Sequence, residues 1–145
     1  MSARTQRGFT LIELMIAVVI IAVLVTIGVP AFSDWRAKQS VRSGAQALMA
    51  HMKQARVLAL SENRSVSITF TSTSYIFDAD TSGSCGLCRK ETTSLSQFSS
   101  SMSLSPTTTR TFTSRGTANS GSVVLTASGH SKTITLNVIG RAYLQ

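Results

Sequence analysis

The chain has 145 residues, with 14 Lys and Arg against 6 Asp and Glu, for a net charge of +8. A long apolar N-terminal segment leaves roughly 85 residues for a globular part, enough for one small core and too few for a second. Two cysteines exclude a disulfide framework, and the thin spread of Gly with only 2 Pro excludes a collagen-like chain. The basic excess invites polyanions, but a solvated basic surface gives the same count. It falls to +6 if Arg4 and Arg7 leave with a leader.

Residues 1–8, MSARTQRG, are polar and carry Arg4 and Arg7, which the positive-inside rule holds on the cytoplasmic side. From Phe9 to Val29 run 21 residues with a single charge, long enough at 1.5 Å per residue to cross a bilayer. The bulk of the chain is then expected outside the cytoplasm. An ordinary secretory signal puts its small-residue cleavage site after the apolar run, whereas here the small residue, Gly8, precedes it. A cut after Gly8 leaves the helix on the mature protein. Glu13 stands inside the apolar run, where an ionised carboxylate costs on the order of a few kcal/mol unless it is paired or near the interface. The amino group freed at Phe9 by such a cut lies one helical turn away, and the same group on a neighbouring copy is an equally good partner.

The stretch R-G-F-T-L-I-E-L, residues 7–14, resembles the type III signal of type IV pilins and type II secretion pseudopilins. The resemblance implies a prepilin peptidase that cuts between Gly8 and Phe9 and methylates the new N-terminal Phe9. It implies that Glu13 docks the subunit among other pilin or pseudopilin subunits. It also implies a helix kink at Gly28 and Pro30, and proline chemistry independently predicts a lost hydrogen bond and a bend there.

Beyond the kink, Ala37, Val41, Ala45, Leu48, Met52, Ala55 and Ala59 recur at steps of four and three, drawing one apolar stripe on a helix. Glu62 and Asn63 are the expected C-terminus, Asn being able to take the left-handed conformation. From Arg64 the pattern changes to short segments rich in Val, Ile, Thr and aromatics at 66–70, 74–78, 110–114, 123–127 and 132–138, which read as strands. Gly129 suits a hairpin turn between the last two, and alternation places Ile134, Leu136 and Val138 on one face, against the helix stripe. Thr92 to Thr109, dominated by Ser and Thr and including Pro106, fits either irregular strands or a loop.

The fold class is therefore α+β: a long N-terminal helix, half membrane-spanning and half amphipathic, packed on a small antiparallel β-sheet head. The expected divisions are a leader at 1–8, a transmembrane or filament-core helix at 9–29, an amphipathic half at 30–63 and a β-rich periplasmic head at 64–145. The helix-then-strands order, the A-R-x-x-A-L-S-x-N-R-S-V run at 55–66 and N-V-I-G-R at 137–141 make the chain similar to the GspH/FimT branch of pilin-like proteins. The resemblance implies a minor type IV pilin that takes part in pilus assembly, or a minor pseudopilin of a type II secretion system. It implies a single-pass protein of the bacterial inner membrane that passes into a pilus or pseudopilus.

The resemblance extends to FimT-like minor pilins that look like DNA receptors for natural transformation, with a C-terminal G-R-x-R motif on the head. Gly140 and Arg141 match it, whereas Tyr143 replaces the second arginine and removes one phosphate partner. Arg110, Arg115 and Lys132 are the cations expected to complete a surface for double-stranded DNA; a turn with a solvated charge explains Gly140 and Arg141 equally well. Cys85 and Cys88 have a redox or half-zinc spacing, but outside a thioredoxin-like domain a short-loop disulfide formed beyond the cytoplasm is the simpler expectation. Zinc would need two further ligands; His51 falls in the helix and His130 in a turn, so neither a metal nor another cofactor is expected. No Ser-His-Asp order, paired-carboxylate signature or phosphate loop appears, and solvation or a turn explains Asp78 and Asp80, so the expected role is not enzymatic.

Overall fold

The computed structural model describes residues 9–83, 85–86, 88 and 90–145. It contains one α-helix, α1 (Leu11–Ser61), and eight strands: β1 (Val66–Phe70), β2 (Ser74–Asp78), β3 (Lys90–Ser94), β4 (Ser103–Ser105), β5 (Thr109–Phe112), β6 (Gly121–Ala127), β7 (His130–Leu136) and β8 (Ala142–Leu144). The chain divides into two units, one ending at Arg36 and one from Ala37 to Gln145.

Every buried residue described belongs to the second unit. There α1 buries Val41, Gly44, Ala45, Leu48, Met52, Ala55 and Ala59, a stripe of mostly small side chains that lets strands come close. The helix stops at Ser61, and Asn63 follows with φ 49°, a left-handed position that asparagine tolerates.

The strands form two antiparallel four-stranded sheets, β3-β2-β1-β5 and β4-β6-β7-β8. Ile68, Phe70, Tyr75 and Phe112 from the first sheet join Leu104, Val123, Leu125, Ile134 and Leu136 from the second and the α1 stripe in one core. The sheets are tied where Leu104 N–H donates to Ser72 O (2.9 Å) and Ala118 N–H to Val138 O (2.9 Å). Between β6 and β7, Ser128 (φ 50°) and Gly129 (φ 80°) are both left-handed, the two-residue turn whose twist suits a hairpin.

The sequence placed β1 and β2 at their observed bounds, and the helix on a β head is the observed class. Thr92 to Thr109, open between strands and loop, holds the end of β3, a 3-10 turn at Leu95–Gln97, and β4. It is anchored by Leu95, Met102 and Leu104, each buried. One expectation fails: Ile134 and Leu136 are buried, but Val138 is 61% exposed. The strand ends at Leu136, because Gly140 N–H donates to Asn137 O (3.0 Å) and closes a turn that carries Val138 out of the pleat.

Candidate functional site

In the first unit, the large apolar residues from Phe9 to Trp35 are exposed, and none of the most apolar 18-residue window of α1 is buried. Thr10 stands just before the helix and Glu13 three residues on, and the two form a capping box. Glu13 N–H donates to Thr10 Oγ1 (3.3 Å) while Thr10 N–H donates to Glu13 Oε2 (3.2 Å). The carboxylate thus sits at the positive end of the helix dipole. This capping role was missed in the sequence reading, although Thr-x-x-Glu at 10–13 is its signature. Gly8 lies outside the described residues. Pro30 lies within α1, where its missing N–H leaves the Thr26 carbonyl without its usual donor, and Ser33 Oγ donates to Pro30 O (2.8 Å).

In the second unit, the five candidate DNA contacts separate. Arg110 is employed internally: its guanidinium donates to Ser120 O (2.9 Å) and fills the space over Gly121. Lys132 lies opposite Leu125 near the β6–β7 turn, about 16 Å along β7 from Asn137 at 3.3 Å per residue. Arg141 and Tyr143 lie two residues apart at the start of β8, and Arg115 is next to a turn that reaches them. The turns carrying Gly116 and Gly140 touch, so closely that a Cβ on Gly140 would lie 2.3 Å from Gly116 O. Arg115 and Arg141 flank these two glycines, and both are exposed.

The helix adds two cations, Lys53 and Arg56, that no DNA-binding motif in the sequence singles out. Arg56 Nε donates to Gly116 O (3.2 Å), and Lys53 lies one turn earlier. Lys53, Arg56 and Val57 of α1 form one wall of a groove of about 400 Å³, and Gly140, Arg141, Ala142 and Tyr143 form the other. No carboxylate lines it. Its lining mixes apolar and cationic side chains, with Val57 64% and Tyr143 49% exposed.

Cys85 and Cys88 are joined by a disulfide, with Cα atoms 5.4 Å apart. Beside it the buried carboxylate of Asp80 accepts from Cys85 N–H (2.7 Å) and Ser82 N–H (2.9 Å), and Arg64 pairs with Glu62 and reaches Cys88 Sγ. Asp80 is thus a loop-organising group, and Asp78 pairs with Lys90 (3.0 Å). His51 Nδ1 lies 2.7 Å from Tyr75 Oη. Burial pushes the Tyr75 phenol up from its ordinary 10.0. Among the described residues no three His, Cys, Asp or Glu side chains gather as a metal site.

An exposed apolar helix start joined to a basic, two-sheet head defines a pilin-like class of protein, and comparison with known proteins narrows it. Residues 3–29 match the prokaryotic N-terminal methylation motif, and residues 44–140 match the family described as type II transport protein GspH. The chain belongs to this GspH/FimT family of type IV pilin-like proteins.

Among curated relatives, the type IV major fimbrial protein FimA of Dichelobacter nodosus is 51% identical over 39 residues, 27% of this chain and 24% of that protein. Prepilin peptidase-dependent protein D of Escherichia coli is 40% identical over 55 residues, 38% of each chain. The chain spans about a quarter of the length of the first and about two fifths of the second. The type IV minor pilin FimU of Pseudomonas aeruginosa shares the fold with a TM-score of 0.60 at 21% identity, over 74% of this chain and 89% of that one. The minor pseudopilin EpsH of the type 2 secretion system of Vibrio cholerae does so with a TM-score of 0.59 at 13% identity, over 73% and 96%.

Proposed function

We propose that this chain is a minor type IV pilin, made as a prepilin, held in the inner membrane by the segment 9–29 with its head in the periplasm, and passed into a pilus with other pilin subunits. The observation that carries this reading is the run of exposed apolar side chains from Phe9 to Val29, interrupted by one carboxylate, Glu13, in the first turn of α1. Such a surface is stable only in lipid or against the apolar helices of other subunits. Prepilin peptidase cuts after Gly8 and methylates Phe9, and the carboxylate of Glu13 then pairs with the amine of its own or a neighbouring Phe9. A bend at Gly28 and Pro30 lets the helix follow its neighbours. The role as a minor pseudopilin of type II secretion rests on the same features and differs in the machine served.

Mass spectrometry of the chain recovered from membranes tests the processing step. The expected mature N-terminus is methylated Phe9; a chain retaining Met1, or one cut after the apolar run, would contradict the reading.

A second reading, a DNA-uptake pilin, is favoured by the convergence of Arg141 with Lys53 and Arg56 in one groove, beside the turn that follows Arg115. Binding of the full chain in detergent to double-stranded DNA should then fall steeply between low and physiological salt, and Arg141→Ala should weaken it about tenfold. Binding that ignores both salt and the substitution removes this reading.

A further inference from the structure

β8 ends its sheet, and its register decides which way its backbone faces. Thr133 and Gln145 exchange both hydrogen bonds (3.3 and 2.8 Å), and Asn137 N–H donates to Arg141 O (3.0 Å). In an antiparallel ladder the bonded pairs alternate, so Arg141, Tyr143 and Gln145 turn their backbone groups to β7. Ala142 and Leu144 turn theirs to the open edge. The other sheet manages the corresponding edge differently. Asn119 lays its side chain along β5, with Oδ1 accepting from Thr111 N–H (2.6 Å) and Nδ2 donating to Thr109 O (2.9 Å). An uncovered strand edge is a template for another strand, and among the described residues no side chain bonds the outward backbone groups of β8.

Ala142, one of the two residues whose backbone turns outward, lines the groove whose other wall is Lys53, Arg56 and Val57. We propose that the groove receives an extended acidic segment of a different subunit, added as a strand along β8. The Ala142 and Leu144 backbone groups pair with it, Val57 and Tyr143 cover its apolar side chains, and Lys53, Arg56 and Arg141 meet its carboxylates. Charge selects the occupant, since three cations and no carboxylate line the groove. A second copy of this chain fits poorly, having 6 acidic residues against 14 basic ones. A DNA duplex offers phosphates to the rim but no strand to the edge. The inference holds whether the filament is a pilus or a pseudopilus.

The test measures binding of a capped pentapeptide of alternating aspartate and valine to the full chain in detergent, by fluorescence anisotropy. Its controls are the lysine–valine counterpart and the acidic peptide N-methylated on the amides that would face β8. The proposal expects the acidic peptide to bind at least about tenfold more tightly than either control, and Lys53→Glu with Arg141→Glu to reverse the charge preference. Ala142→Pro removes the outward N–H and should abolish binding of the peptide. Equal binding of the N-methylated peptide overturns strand addition even if Ala142→Pro fails to fold. Equal binding of the lysine peptide, or a groove occupied by duplex DNA alone, overturns the proposed partner.

Discussion

Gly140 and Gly44 both lie where a side chain would meet a neighbour, yet the neighbours differ in what they can yield. Gly140 has φ 73°, and an added Cβ would press within 2.3 Å of the Gly116 carbonyl oxygen, a backbone atom held by Arg56. Gly44 is helical, and its added Cβ would meet the Met102 sulfur at 2.8 Å, part of a flexible side chain. Gly140→Ala should therefore cost about 2 to 4 kcal/mol through left-handed strain and displaced backbone. Gly44→Ala should stay within about 1 kcal/mol of the parent, because gained helix propensity offsets a shifted methionine. Thermal unfolding of both variants in detergent checks the difference, and equal losses would show that the touching turns are not held tightly. The glycine of the half-matched G-R-x-R motif is thus explained by packing, and only Arg141 remains free for a partner.

At the level of elements, legibility followed apolar periodicity. The α1 stripe and β1, β2 and β6 alternate clearly enough to be read, since each buries several large or β-branched side chains. β3 and β8 have no strand signal in the sequence, and β4 lies in the stretch that fits either irregular strands or a loop. β3 is Lys90–Ser94 with no apolar side chain, β4 offers Leu104 alone, and β8 has three residues. Such strands are specified by the edges they meet, which no local pattern reports. The cover on β5 is likewise nonlocal, because Asn119 bonds residues eight to ten positions away. Asn119→Ala should remove two hydrogen bonds at an exposed edge, lower stability by about 1 kcal/mol and speed amide exchange at Thr111. Unchanged exchange at Thr111 would mean that the edge is protected by something other than this side chain.

For the whole molecule, the two units divide the labour. The second contains all the described burial and needs no bilayer to account for its core, whereas the first buries nothing and requires an apolar surrounding. That division was visible in the sequence, where the apolar run at 9–29 gives way to an amphipathic helix and short strands. The basic groove was not, because Lys53 and Arg56 meet Arg141 only after about 90 residues of intervening chain fold back on the helix. The capping box and the proposed pairing with the Phe9 amine make different demands on Glu13. Glutamine preserves an acceptor for the Thr10 N–H but carries no charge, whereas alanine supplies neither.

Incorporation of Glu13→Gln into filaments, scored against the membrane-inserted pool, therefore tests the central claim most directly. Pairing with a Phe9 amine predicts that Glu13→Gln and Glu13→Ala both fall about tenfold or more in filaments while remaining at normal levels in the membrane. Parent-like incorporation of Glu13→Gln would contradict it, leaving the carboxylate as a helix cap and nothing more.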